Sequence, residues 1–367
     1  MSFWLILFAV LVLLSIGGII FLTSRFHRFS FIEKLGRNHK KLSWFISLIP
    51  VALIGTASYF LINLWSMIVI MLHLFIIWLI CDIIAGLVRK MNGWERYRNY
   101  EGAAALIITV LYLSYGWIMA HKVFITDYDF KSAKPLKEDL RIVEIADSHL
   151  GITLDGDSFT EQMKRVNAQD PDVVVVVGDF VDDDSNRDDM KKACAALGQL
   201  NTKYGVFFVF GNHDKGYYQG YRNFTAAELK TELKNNGVTV LEDESVLVND
   251  DFYIIGRQDK SDEDRTPMSE LVADVDMSRY TIVLDHQPND YLNEADAGAD
   301  LVLSGHTHGG HIFPAGQIGL LLGVNDRVYG SEVRDNTTFV VTSGISGWAI
   351  PFKTGTISEI VVIDIKK

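Results

Sequence analysis

Residues 172–182 read DVVVVVGDFVD, and this stretch decides the fold. Five consecutive β-branched valines favour extended backbone. A continuous apolar run of this length belongs to a strand covered on both faces. Gly178 ends the run, and Asp179 and Asp182 follow at once, so a buried strand terminates in carboxylates. In an open α/β sheet, ligands gather at that end of the strands.

The same pattern recurs on either side. RIVEIA (141–146) runs into Asp147-Ser148-His149, and GVFFVF (205–210) into Gly211-Asn212-His213-Asp214. YTIVL (280–284) runs into Asp285-His286, and DLVL (300–303) into Ser304-Gly305-His306-Thr307-His308-Gly309-Gly310. Helical patterns fall between these runs, around 157–168, 187–200 and 226–236. Short alternating segments at 245–249, 251–256, 317–322, 337–342 and 357–365 predict further strands. Each cluster taken singly has an ordinary explanation: Asp147 as a helix cap, Asn212 or Asp214 as a turn residue, His286 as a satisfied core histidine. The histidine distribution argues against that explanation for all of them together. Of the chain's 10 histidines, those beyond residue 126 are His149, His213, His286, His306, His308 and His311. Every one lies in or beside a strand-end cluster.

Carboxylate oxygen, imidazole nitrogen and an amide oxygen, with no thiolate, suit a divalent ion such as Mn, Fe, Zn, Co or Ni. Two such ions about 3.5–4 Å apart clamp the attacking and leaving oxygens of a phosphoester and acidify bound water. A short Asp between them can bridge. Gly178, Gly211, Gly305 and Gly309 would let the backbone turn sharply beside the ligands and a bulky phosphate.

The ordered series D-S-H (147–149), G-D-F-V-D (178–182), G-N-H-D (211–214), His286 and G-H-T-H-G-G (305–310) resembles the calcineurin-like metallophosphoesterase superfamily. The resemblance covers most of 140–365. It implies a four-layer αββα sandwich over 139–367 and two divalent ions. Asp147, His149, Asp179 and His308 would hold one ion. Asp179, Asn212, His286 and His306 would hold the other, with Asp179 as the bridge. By the same resemblance His213 contacts the phosphate and protonates the leaving group, Asp182 orients His213, and Asp214 supports without reacting. The implied reaction is in-line attack by a metal-bridging hydroxide on a phosphomonoester or phosphodiester, with no covalent intermediate. D-H-Q-P (285–288) before G-H-T-H-G-G points to the bacterial membrane-associated branch. His311 stands where many relatives carry Gln, as a substrate contact or a group behind the ligands. Ser343–Trp348 (SGISGW) lacks the Arg common in relatives, and Trp348 is expected to pack in the core.

The chain outside these motifs is of another kind. Residues 1–126 hold 11 Lys/Arg against 4 Asp/Glu, a net of +7, whereas 127–367 carry −19. A domain so acidic is a poor partner for nucleic acid, which requires a cationic surface. The 2 cysteines, Cys81 and Cys194, support neither a disulfide framework nor a thiolate metal site. Apolar runs at about 3–22, 43–63, 64–88 and 103–123 are each long enough to cross a bilayer as helix. Four transmembrane helices are therefore expected in residues 1–126, with the second and third forming a tight hairpin at Asn63 and residues 127–138 serving as a linker. The first run lacks a basic leader and a cleavage signal, so it reads as a retained anchor. Arg25, Arg28, Lys34, Arg37, Lys40 and Lys41 mark one loop as cytoplasmic, and Arg89, Lys90, Arg96 and Arg98 another. Four crossings then place the acidic domain outside the cytoplasm, beside a lipid bilayer. Trp44, Trp65, Trp94 and Trp117 sit near the run ends as interfacial anchors. Asp82, the acidic residue inside a run, lies close enough to Arg89–Lys90 to reach the interface.

The leading expectation is a multi-pass cell-membrane phosphoesterase acting on an extracytoplasmic, lipid-linked or envelope phosphate ester. Two alternatives stand beside it. A nucleotide-diphospho-lipid pyrophosphatase would require cytoplasmic access, and an inert membrane-tethered sensor would be expected to have lost some ligands. Tyr217, Tyr218, Tyr221, Arg257 and Arg265 are further candidate substrate contacts, although an exposed aromatic or Arg is more often uncommitted surface.

Overall fold

The computed structural model describes residues 3–216 and 222–367, with side chains from Ser15 onward. Tyr217, Tyr218 and Tyr221 therefore lie outside the described residues. The chain divides into two compact units, Met1–Tyr115 and Gly116–Lys367.

Helices make up the first unit: α1 (Phe3–Phe26), α2 (Ser30–Gly36), α3 (Lys40–Leu61), α4 (Leu64–Asn92) and α5 (Tyr100–His121), the last running on into the second unit. Among the described residues α3, α4 and α5 are long and apolar enough to cross a membrane; the part of α1 with described side chains, Ser15–Phe26, is shorter. Two residues separate α3 from α4, and the Asn63 side chain caps α4 by accepting the Ser66 amide at 2.8 Å. Trp78 is fully buried against Leu22, Phe26, Val51, Leu74 and Ala105. Asp82 pairs with Arg25 and, at 3.0 Å, with Arg28. Its charge is thus met by cations from the end of α1 and the residues after it, not by Arg89–Lys90.

The second unit stacks two six-stranded sheets. The first sheet comprises β1 (Val123–Lys131), β2 (Leu140–Ile145), β3 (Val173–Val177), β4 (Val206–Val209), β5 (Thr239–Val240) and β12 (Ser358–Lys366), in the order β1-β12-β2-β3-β4-β5. The second comprises β6 (Glu244–Val248), β7 (Phe252–Gly256), β8 (Tyr280–Leu284), β9 (Leu301–Ser304), β10 (Gly330–Arg334) and β11 (Thr337–Val341), in the order β10-β11-β9-β8-β7-β6. Ile142, Val175, Val209, Ile282, Leu303 and Ile363 meet in the core between the sheets. Helices α6 (Gly156–Asn167), α7 (Arg187–Gly198) and α8 (Ala226–Asn235) bury Phe159, Met163, Cys194 and Leu229 against the outer face of the first sheet. On the far side, α9 (Met268–Leu271) and α10 (Tyr291–Asp296) cover the second sheet with Met268 and Tyr291. The layers are therefore α, β, β, α, as the resemblance implies.

Two expectations require correction. Residues 127–138 are not a linker throughout, because Val123–Lys131 is an edge strand paired in parallel with β12 along its whole length. Its side chains alternate: Thr126, Tyr128 and Phe130 are partly buried while Asp127, Asp129 and Lys131 are exposed. Of the residues that suggest a linker, Lys131 belongs to the solvent face of this strand, whereas Lys134, Pro135 and Lys137 follow it. The segment 317–322 forms no strand either; Ala315–Leu321 is helix α11. The alternation expected there does not continue past Gly319, since Leu320, Leu321 and Leu322 are consecutive, and so short an apolar run does not distinguish a strand from a helix.

Candidate metal centre

Strands of both sheets end at one place. Asp147 and His149 follow β2, Asp179 and Asp182 follow β3, and Asn212, His213 and Asp214 follow β4; His286 follows β8, and His306 and His308 follow β9. The loops bend hard to achieve this. Asp147, Asp179, His306 and His308 have φ of 54°, 50°, 67° and 48°, values that side chains with a Cβ adopt rarely and that cluster at functional sites. Gly178 permits the approach of the sheets: its φ is 75°, and a Cβ there would lie 2.5 Å from His286 Nδ1.

Of three converging groups of donor atoms, one is His149 with Asp182 and His213; the other two are Asp147 with His149 and His308, and Asp179 with His286 and His306. One oxygen of Asp179 spans them, 3.5 Å from His149 Nε2 and 3.1 Å from His286 Nε2. Asp147 Oδ1 stands 3.6 Å from His308 Nε2. Asn212 lies between two fastened amides: Gly211 N donates to Asp214 Oδ2 at 2.7 Å, and His213 N to Asp179 Oδ1 at 2.8 Å.

The outer hydrogen bonds fix which imidazole nitrogens face inward. His149 Nδ1 donates to Asp182 Oδ2 at 3.0 Å, His286 Nδ1 to the Val177 carbonyl at 2.8 Å, and His308 Nδ1 points at the Ser346 carbonyl at 3.3 Å. A neutral imidazole with its proton on Nδ1 presents a lone pair at Nε2. The Nε2 atoms of His149 and His308 face each other at 3.1 Å. Two lone pairs so close repel unless a cation lies near both, which is the signature of metal ligands. Burial holds His308 well below the ordinary imidazole pKa and, with His286 adding to the effect, pushes His306 down to about 4, so both remain neutral donors. Burial also opposes charge on His286, yet Asp179 and Asp147 raise it well above the ordinary value; the pocket favours positive charge there. Burial, with Asp179 nearby, lifts Asp147 to about 6. The donor set fits hard-to-borderline divalent ions.

Beside the ligand groups, His213 Nδ1 donates to Asp182 Oδ1 at 3.1 Å. Burial works against the His213 imidazolium, but Asp182 and Asp179 raise its pKa overall. Asp182 therefore orients His213 and, as the sequence did not show, His149 as well. Asp214 accepts the Phe180 and Val181 amides at 2.8 and 3.0 Å, in addition to Gly211, and so joins the loops after β3 and β4. His311 stacks on His308 with ring centroids 5.3 Å apart, behind the ligands.

Three further expectations meet a different outcome. Trp348 does not pack in the core; it is 44% exposed, with its ring 5.6 Å from that of His213. Arg257 is buried and spent on Asp285, Asp290 and Glu294 at 3.0, 2.7 and 3.1 Å, and Arg265 also pairs with Asp285. These arginines brace the loop ahead of His286 and do not present a substrate surface. Sequence reasoning missed Lys353, wholly buried, whose Nζ donates to the carbonyls of Ser343, Gly344 and Ile357 at 2.6, 3.1 and 3.1 Å. It secures the loop behind Asp147, and a single lysine outside any motif gave no signal.

Comparison with known proteins agrees with this geometry. Residues 140–310 match the family model described as calcineurin-like phosphoesterase. An uncharacterized metallophosphoesterase of Aquifex aeolicus is 32% identical over 71% of this chain and 98% of its own length. One of Campylobacter jejuni is 34% identical over 63% of this chain, which spans 60% of that relative. A Bos taurus protein named transmembrane protein with metallophosphoesterase domain is 31% identical over 62% of this chain and 53% of its own length. The converging strand ends, the histidines with their lone pairs turned inward, and these matches place the chain among the calcineurin-like metallophosphoesterases, metal-dependent hydrolases of phosphate esters.

Proposed function

We propose that this chain is a multi-pass membrane phosphoesterase whose catalytic domain lies outside the cytoplasm and hydrolyses a phosphomonoester or phosphodiester, with a lipid-linked or envelope ester as substrate. The observation that carries the reading is Asp179 Oδ2 standing within 3.5 Å of His149 Nε2 and 3.1 Å of His286 Nε2, one carboxylate shared by two ligand groups. Asp147, His149, Asp179 and His308 would hold one ion, and Asp179, Asn212, His286 and His306 the other; the metals are drawn from Mn, Fe, Zn, Co and Ni. When bound, such a pair supplies Lewis acidity and a water acidic enough to attack at neutral pH.

The protein's own groups do the rest. Asp182 anchors His213 through Nδ1, so Nε2 is the nitrogen from which a proton passes to the departing oxygen. The raised pKa of His213 favours the protonated form that this step requires. Trp348, exposed beside His213, offers an apolar wall where the leaving group would emerge.

The extracytoplasmic placement is supported by the basic loops at 25–41 and 89–98, which mark the cytoplasmic side. Hydrolysis of aryl phosphates and aryl phosphodiesters, with the metal content measured alongside, tests the reading. The parent is expected to turn over at least one class with about two ions bound, and Asp179→Ala to lose both metal and turnover. Asp179→Ala indistinguishable from the parent would sink it. Protease accessibility of the C-terminal domain in sealed cells tests the placement, and protection there would overturn it.

A further inference from the structure

Residues 312–325 read IFPAGQIGLLLGVN, fourteen positions without a charge in a domain of net −19. A run so apolar would ordinarily be core. Here it is on the surface: Phe313 is 55% exposed, Ile318 51%, Leu321 86%, Leu322 71% and Val324 59%. Ile318, Leu321 and Leu322 stand at i, i+3 and i+4 and so share one side of α11. An exposed apolar patch of this kind marks an interaction surface.

The segment is also fixed in place. Gly316 packs so closely on Gly310 that a Cβ on either would lie within 2.8 Å of the other's backbone. Gly310 directly follows the ligand loop of His306 and His308, so the patch adjoins the candidate metal centre. On its other side the Phe313 amide donates to Thr354 Oγ1 at 3.2 Å, and the Thr354 and Gly355 amides donate to the His311 carbonyl at 3.0 Å each.

The same few residues grip the end of a membrane-spanning helix. Within the second unit, the Lys353 amide donates to the Gly116 carbonyl at 2.9 Å, and a Cβ on Gly116 would lie 2.8 Å from Thr354. Trp117 rests on Phe352 with ring centroids 5.7 Å apart, and Ser358 Oγ donates to the Ala120 carbonyl at 2.8 Å. Gly116–His121 is the last part of α5, where Trp117 and Ile118 are 43% and 52% exposed. An exposed tryptophan at the end of an apolar helix belongs at the lipid–water boundary.

We infer that Phe313–Val324 is a bilayer-docking surface: its apolar residues enter the headgroup and upper acyl region of the membrane crossed by α5 and present the metal centre to phosphate esters carried in that bilayer. Thr354, which meets both Gly116 and Phe313, joins the patch to the helix end already at the membrane boundary. That continuity favours lipid over a second protein. An interfacial helix buries its apolar side about 5–10 Å deep, and α11 with its flanks carries no charge to oppose this. The docking surface stands on the exposure and the contacts alone; presentation of a bilayer-borne substrate rests on the phosphoesterase reading.

The test uses the full chain in phosphatidylcholine vesicles. A polarity-sensitive fluorophore is placed at Leu321→Cys, or for comparison at Lys164→Cys on α6, in a Cys81→Ser, Cys194→Ala background. Brominated phosphatidylcholine should quench the Leu321 label strongly and leave the Lys164 label unaffected. Equal quenching at both positions, or cross-links between Leu321→Cys residues of two copies, would overturn the inference. A Leu321→Asp, Leu322→Asp variant should raise KM roughly tenfold for p-nitrophenyl hexadecyl phosphate dispersed in the vesicles and leave soluble bis(p-nitrophenyl) phosphate unchanged. Equal loss on both substrates would make the segment part of the site's framework and overturn the docking role. A parent that hydrolyses neither ester refutes the phosphoesterase reading, while quenching still decides the docking surface.

Discussion

Asp182 faces two imidazoles, with Oδ1 toward His213 and Oδ2 toward His149. Burial disfavours its charge, yet those two hydrogen bonds hold its carboxyl far below the ordinary range. Replacing it with Asn removes the negative charge that raises His213. In the proposed reaction His213 is the acid, so the alkaline limb of the rate profile should shift to lower pH in Asp182→Asn, with kcat down by about 10²–10⁴. A profile unmoved from the parent's would remove His213 from the acid role. Lys353 invites a different measurement. Lys353→Met leaves three buried carbonyls without their donor, and thermal unfolding should register a loss of about 2–4 kcal/mol. Loss of activity without loss of stability would mean that the lysine acts on the reaction itself.

Among the elements, β1 carries the most direct test. It pairs with β12 from Val123 to Lys131, so a chain truncated to 139–367 lacks an edge strand and uncovers β12. A chain beginning at Val123 keeps it. The shorter form should unfold at least about 5 °C lower or aggregate through the bared edge; equal melting temperatures would show that β1 is dispensable. This strand also shows what the sequence made legible and why. The buried strands β2, β3, β4, β8 and β9 announced themselves as short, mostly apolar runs rich in β-branched and aromatic residues, and the chemistry stood at their ends. β1 was hidden because Lys131, Lys134, Pro135 and Lys137, at and beyond its end, read as a linker and outweighed the alternation within it. α11 was misread because so short an apolar run does not by its pattern distinguish a strand from a helix. The convergence of ligands needed no structure. The second hydrogen bond of Asp182, the buried Lys353 and the exposure of Trp348 did, because each depends on contacts between residues far apart in sequence.

At the scale of the molecule, charge is divided between the two parts, +7 in residues 1–126 and −19 beyond. An anionic ester must approach an acidic domain before metal charge acts on it at contact. Screening that approach should help: kcat/KM for a soluble anionic ester is expected to rise about two- to threefold between low and physiological ionic strength. A fall with salt would indicate cationic steering and reopen the nucleic-acid class.

Lys122 alone separates the end of α5 from the start of β1. A trans peptide advances the chain only about 3.8 Å, so no flexible linker lies between that helix and the first strand of the catalytic domain. In the proposed membrane setting, what it encounters is counted per area of membrane rather than per volume of solution. A substrate confined to that surface is concentrated for it in advance.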